Sequence, residues 1–190
     1  MGQRYQAILK HLREPFDICD MGTGVPKYEK YDRFILATPT ETHFRFVQIL
    51  DKFRKPILCE KPLATNRHEI AGILDCKSPL SMMVQYAYYD REFFHGESSY
   101  NYFRHGKDGL VWDCFQIIAL ARGIVTVKED SPIWCCYLNG EDLDLNKMDS
   151  AYVWATRNFL NNIFISKEQM LDWHVKVLEY EDKWRKLSVS

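Results

Sequence analysis

Two short apolar runs, each ending in a cluster of polar residues, constrain this chain more than any other feature. Arg33-Phe-Ile-Leu-Ala37 runs into Thr38-Pro39-Thr40, and Pro56-Ile-Leu-Cys59 runs into Glu60-Lys61-Pro62. Apolar runs of this length read as buried strands, the kind found in parallel sheets. Between them the sequence predicts a helix through about Phe53, with Thr40 or Thr42 as its cap. Strand, helix, strand in that order predicts an α/β fold built on a parallel sheet. Ligands of such sheets bind beyond the carboxyl ends of the strands, where Glu60 and Lys61 stand.

The flanking sequence extends the alternation. Tyr5, Ile8, Leu9 and Leu12 have helical spacing and predict a helix over 3–13, stopped by Glu14-Pro15. Phe16–Asp20 reads as a short strand ending in an acid, and residues 21–26 as a loop. Asn66 is placed to cap a helix over 67–76. The character changes at Lys77-Ser78-Pro79, where a domain boundary is expected. Beyond it, Ser81–Tyr89 and Tyr100–Phe103 read as strands, and Leu110–Ala121 as a helix ended by Gly123. Asn139-Gly140 is a hairpin signal between 133–138 and 143–145. Helices over 150–164 and 166–187 close the chain, the second opened by the capping box Ser166-Lys-Glu-Gln169.

Composition narrows the function classes. The net charge of −1 gives no bulk attraction to nucleic acid or anionic lipid, and no apolar run approaches the roughly 20 residues that span a bilayer. Met1 leads directly into an amphipathic segment, without a signal-peptide pattern. The six cysteines form neither a C-x-x-C pair nor a Cys/His cluster with zinc spacing. Reduced thiols in a cytoplasmic protein with no metal site are expected. The aromatic run Tyr86, Tyr88, Tyr89, Phe93 and Phe94 has only Arg91 as a basic neighbour and reads as sheet core or an oligomer face rather than a base-stacking platform.

The two turn motifs carry a resemblance. Ile35-Leu-Ala-Thr-Pro-Thr-Glu-Thr-His43 together with Cys59-Glu-Lys-Pro62 is similar to the glucose–fructose oxidoreductase, inositol dehydrogenase and rhizopine-catabolism (Gfo/Idh/MocA) family. Met83-Val-Gln-Tyr86 resembles the first strand of that family's second domain, and Gly109-Leu-Val-Trp-Asp113 the start of its Gly-x-x-x-Asp helix. The resemblance implies a reduced, Rossmann-like nucleotide-binding domain over residues 1–79 and a smaller α+β domain over 80–190 for substrate and self-association. It implies NAD or NADP as cofactor, and hydride transfer to or from a sugar, polyol or related carbonyl. A homo-oligomer through the sheet of the second domain is expected; nucleic acid and membrane are not expected as partners. Lys61 would be the principal catalytic group, with Asp113 and Gln116 assisting. Gly2, Asp20, Thr38, Pro39, Thr40, His43, Glu60, Lys61 and Pro62 would contact cofactor, Asp20 favouring NAD through a ribose hydroxyl.

Two departures keep an alternative open. Met1-Gly2-Gln3-Arg4-Tyr5 matches only the tail of the glycine-rich fingerprint, whose first strand and first two glycines have no counterpart here. The histidine that the family commonly carries four residues after its aspartate is Ile117, with Gln116 beside it and His105 in a separate glycine-bounded loop. A non-catalytic relative that binds a ligand or a protein partner fits those departures. His43 reads equally as a cofactor contact or a histidine packed on the sheet, Asp113 as a cap or a substrate contact, and His174 as a packed histidine.

Overall fold

The computed structural model describes residues 1–20, 24, 26–84, 87, 98–101, 115–120, 125–128, 135–138, 141–142 and 148–187. The first sheet has three parallel strands in sequence order: β1 Phe34–Leu36, β2 Ile57–Cys59 and β3 Leu80–Met82. Register aligns Phe34 with Ile57 and Ile57 with Leu80, and Ile35 with Leu58 and Leu58 with Ser81. Because side chains alternate along a strand, this register sorts the residues into two faces.

Phe34, Leu36, Ile57, Cys59, Leu80 and Met82 share one face and one core. Four helices contribute to it: α2 His43–Leu50, α3 Arg67–Leu74, α4 Phe115–Leu120 and α6 Lys167–Leu187. Val47 and Leu50 come from α2, Ile70 and Ile73 from α3, Phe115 and Ile118 from α4, and Met170, Trp173 and Val177 from α6. Leu58 and Ile35 occupy the other face, under α1 Gly2–Leu12 and α5 Met148–Leu160. There Tyr5 and Ile8 of α1 meet Tyr152, Ala155 and Phe159 of α5. Helices on both faces explain why the strands read as unbroken apolar runs.

Local chemistry sets the helix ends. Asn66 Oδ1 accepts the Glu69 N–H at 2.9 Å, as its position predicts. Ser166 Oγ accepts the Gln169 N–H at 3.1 Å, one half of the expected capping box. Neither Thr40 nor Thr42 caps α2 through its side chain; both lie in a 3₁₀ turn, Thr40–Thr42, that leads into the helix. After α2, Asp51 accepts the N–H groups of Lys77 and Ser78 at 2.8 and 2.6 Å and so ties the helix end to the approach to β3. Burial pushes the Asp51 carboxyl up, but those N–H groups and Arg54 outweigh it and hold it below the usual range. Gly72 in α3 faces the Phe44 ring at such close range that an added Cβ would lie 2.6 Å from it, which is what glycine contributes to the α2–α3 contact.

The second sheet is mixed, with order β5-β4-β6-β7: β4 Ser98–Asn101, β5 Val125–Lys128, β6 Cys135–Leu138 and β7 Glu141–Asp142. β4 pairs parallel with β5, with α4 lying between them in the chain, and antiparallel with β6. β6 and β7 pair antiparallel on either side of residues 139–140, as expected, but the second arm is Glu141–Asp142; the expected arm, 143–145, lies outside the described residues. The chain is therefore α/β, a small parallel sheet followed by an α+β segment.

Two expectations are corrected. Phe16–Asp20 forms no strand, and Ile18 within it is 55% exposed; among the described residues no neighbouring strand offers it a ladder, and a strand persists only where such a ladder satisfies its backbone. The run Ser81–Tyr89, expected as a strand beyond the boundary, is divided: Leu80–Met82 is the third strand of the first sheet. Residues 85, 86, 88 and 89 lie outside the described residues.

Candidate active site

Backbone pairing outlasts the strands by one residue. The Glu60 N–H donates to Leu36 C=O at 2.9 Å and the Met83 N–H to Cys59 C=O at 2.8 Å. The sheet therefore holds the chain up to the point where Glu60-Lys61-Pro62-Leu63 turns away, with the Lys61–Pro62 peptide cis.

Three helices hold this turn. From α1, the Tyr5 hydroxyl donates to Glu60 Oε1 at 2.7 Å, while the Lys61 N–H donates to Glu60 Oε2 at 3.2 Å. Glu60 is 5% exposed, and burial pushes its carboxyl above the usual range; the Tyr5 hydrogen bond and the charges of Lys61 and His43 oppose that rise. Tyr5 is pushed well above its ordinary value, by burial first and by Glu60 second. From α2, His43 places Nδ1 3.0 Å from Pro62 C=O and Nε2 2.9 Å from Thr38 C=O. Carbonyls only accept, so a neutral ring, with one N–H, donates to one of them at a time. His43 thereby links the turn after β1 to the turn after β2. From α6, His174 Nε2 accepts the Leu63 N–H at 3.1 Å, and Nδ1 donates to Met170 C=O at 2.7 Å. Burial pushes the His174 ring down to about 4, so it is neutral at physiological pH.

Lys61, between these anchored residues, is half-buried. Apart from the electrostatic influence of Glu60, its ammonium makes no hydrogen bond or ion pair among the described residues. The neighbouring turn supplies hydroxyls: Thr42 Oγ1 lies 2.8 Å from Thr38 Oγ1 and 2.7 Å from Pro39 C=O. Pro39 is exposed, and Thr38 and Thr40 are half-exposed.

Gly2, the first residue of α1, is exposed, and a Cβ there would meet nothing within 4 Å. The first turn carries no acid. The N–H groups of Arg4 and Tyr5 return to Met1 C=O at 2.9 and 3.4 Å, while those of Gly2 and Gln3 belong to the first helical turn, which has no intrahelical acceptor for them. Through Tyr5 this helix end meets the same strand ends as Lys61. Helix-terminal N–H groups, threonine hydroxyls and one ammonium suit a ligand rich in phosphate and hydroxyl oxygens. Among the described residues no group of His, Cys, Asp and Glu could hold a metal ion, and no helix is long and apolar enough to cross a membrane.

The other candidates are placed differently. Asp20 is exposed, at the end of a segment that forms no strand. Gln116 is buried on α4, beside Phe115, whose ring centroid lies 4.7 Å from that of His174. Asp113 and His105 lie outside the described residues. The sequence reading missed two residues at this turn, Tyr5 and His174. Each occupies the apolar stripe of its helix, where it reads as core; the one available signal was that a buried phenol or imidazole needs a polar partner, and that signal does not say which.

No protein-family model matches the chain, and no curated protein matches it. Solved structures do. The WlbA (WbpB) dehydrogenase of Thermus thermophilus, crystallised with NAD and UDP-GlcNAcA, aligns with TM-score 0.59 and 14% identity over 94% of this chain and 77% of its own. GenD2 from gentamicin A biosynthesis, in complex with NAD, aligns with TM-score 0.64 and 11% identity over 90% and 81%. A putative myo-inositol dehydrogenase from Sinorhizobium meliloti aligns with TM-score 0.62 and 12% identity over 79% and 78%. These fold neighbours are dehydrogenases of the type that the two turn motifs resemble. At such identities the likeness is one of fold, and the chain has the Rossmann-like fold of these dehydrogenases.

Proposed function

We propose that this protein is an NAD(P)-linked oxidoreductase acting on a sugar, polyol or related carbonyl, with Lys61 as its proton-transfer group. The observation that carries the reading is the lysine itself. It stands at the carboxyl end of the central strand, between residues anchored by three helices, with an ammonium that no described residue engages. A rigid frame around one uncommitted ammonium is what stabilising a developing alkoxide requires. Fold neighbours crystallised with NAD support a nicotinamide cofactor.

The α1 N-terminus with Gly2 and the turn Thr38-Pro39-Thr40 would hold the cofactor, with His43 keeping that turn in register with Glu60-Lys61-Pro62. A bound nicotinamide supplies hydride transfer. In carbonyl reduction the Lys61 ammonium hydrogen-bonds the substrate oxygen and gives it a proton; in alcohol oxidation the proton passes the other way. Glu60, shielded by Tyr5, sets the local field rather than meeting substrate. Asp113 and Gln116 are proposed to orient substrate hydroxyls.

Titration with NADH and NADPH, followed by fluorescence or calorimetry, tests this. Binding of at least one is expected, and no binding at millimolar concentration would overturn the reading. Lys61→Ala should abolish turnover and leave cofactor affinity nearly intact. Loss of affinity alone would make Lys61 a binding residue.

A further inference from the structure

We propose that His174, on the last helix, is a positioning residue that sets the direction of Lys61 by fixing the backbone of Leu63. This rests on the reading of Lys61 as the proton-transfer group. Leu63 is fully buried, and it lies in a turn rather than in a helix or strand. A buried N–H there needs an acceptor from elsewhere. The acceptor comes from a side chain 111 residues away: His174 Nε2, at 3.1 Å.

The imidazole is committed to that task. Met170 C=O takes the proton of Nδ1 at 2.7 Å, which leaves the lone pair on Nε2 for Leu63. Only one neutral tautomer satisfies both contacts, since a carbonyl accepts and an amide N–H donates. The ring orientation is fixed as well, because Phe115 of α4 lies against it with ring centroids 4.7 Å apart. Backbone and ring are thus both held, and the bond between them carries the position of α6 into the turn.

The arrangement is two-sided. Tyr5 holds Glu60 from the face covered by α1 and α5, while His174 holds Leu63 from the face covered by α6. Lys61 lies between the two attachments. A leucine at 174 would fill the same space; what the histidine adds is a directed acceptor. That difference separates positioning from packing.

The test uses the full chain labelled with ¹⁵N. In the wild type, the His174 ¹⁵N shifts should show Nδ1 protonated and Nε2 bare at neutral pH, and the Leu63 amide should exchange slowly. His174→Leu should raise Leu63 exchange by about tenfold or more while the Leu58 amide stays protected, and His174→Gln, whose Oε1 can accept, should restore protection. Reductive ¹³C-methylation reports Lys61 directly, its signal assigned by absence in Lys61→Arg. That signal should move in His174→Leu and return in His174→Gln. If His174→Leu does not fold, His174→Met takes its place. The proposal is overturned if wild-type Nε2 carries the proton. It is overturned equally if folded His174→Leu keeps both Leu63 protection and the Lys61 signal, or if Gln fails to rescue them. None of these readouts needs turnover, so failure of the oxidoreductase reading shows separately, as absence of cofactor binding. Where turnover is measurable, His174→Leu should lower kcat with KM little changed, and Gln should recover it.

Discussion

Residues 57–60 and 16–20 look alike in the sequence, each a short, mainly apolar stretch that ends in an acid, yet the fold treats them oppositely. Ile57–Cys59 becomes the central strand, paired on both edges and covered on both faces, and delivers Glu60 into the interior. Phe16–Asp20 joins no strand among the described residues and leaves Ile18 and Asp20 exposed. An apolar run becomes a strand only where neighbours supply hydrogen-bond partners and a surface to bury against. The same contrast separates the two acids, since Glu60 acquires a phenol, a backbone N–H and the nearby Lys61 ammonium, while Asp20 stays at the surface.

The comparison can be broken most forcefully at Leu58. It is 2% exposed between two paired strands, so Leu58→Ala should lower the unfolding free energy by about 2–5 kcal/mol, read from denaturant midpoints. A loss no larger than that from Ile18→Ala would mean that β2 is not the centre of the core.

The next effect is the acid sensitivity of the turn. His174 sits near 4 in the folded chain against 6.5 when exposed. Between those values the unfolded state binds the proton and the folded state does not. Stability from this group is therefore complete above pH 6.5 and lost as pH falls towards 4, by about 3 kcal/mol. His174→Gln should flatten that part of the pH–stability curve, and an unchanged slope would assign the effect to other groups.

Tyr5→Phe should cost about 2 kcal/mol, because it strips a buried carboxyl of its hydroxyl donor. The sign with pH is distinctive. The Glu60 carboxyl is raised, so the folded state holds its proton to higher pH than the unfolded state does, and this group's contribution falls as pH rises through the folded value. Losing Tyr5 raises the carboxyl further, so the variant should be weakest at high pH; a pH-independent loss would mean that the hydroxyl mainly fills space. The smallest change is expected at Ile18→Ala, within about 0.5 kcal/mol, as for an exposed site without special contacts.

Much of the first sheet was legible from residues alone. β1, β2, their connecting helix, the Asn66 cap and the Ser166 cap all follow from short-range rules: apolar runs, helical spacing, and a side-chain oxygen set before a helix. The hairpin at 139–140 follows from the same kind of local signal. The allegiance of Leu80–Met82 did not, because a strand's partner is chosen by which edge is free, and that depends on the whole sheet. Of the candidate site, the Thr38–Thr40 turn, His43 and Glu60-Lys61-Pro62 were singled out in the sequence and lie together, whereas Asp20 was assigned to a strand end that does not form.

The sequence by itself determined where polar chemistry meets the ends of apolar strands, since strand, turn and cap signals act within a few residues of one another. Only the tertiary structure decided what holds that chemistry in place. Tyr5 reaches Glu60 across 55 residues and His174 reaches Leu63 across 111, from opposite faces of one sheet. Their hydrogen bonds exist because burial removes a carboxyl group and an amide from bulk water and makes each take a partner that packing presents.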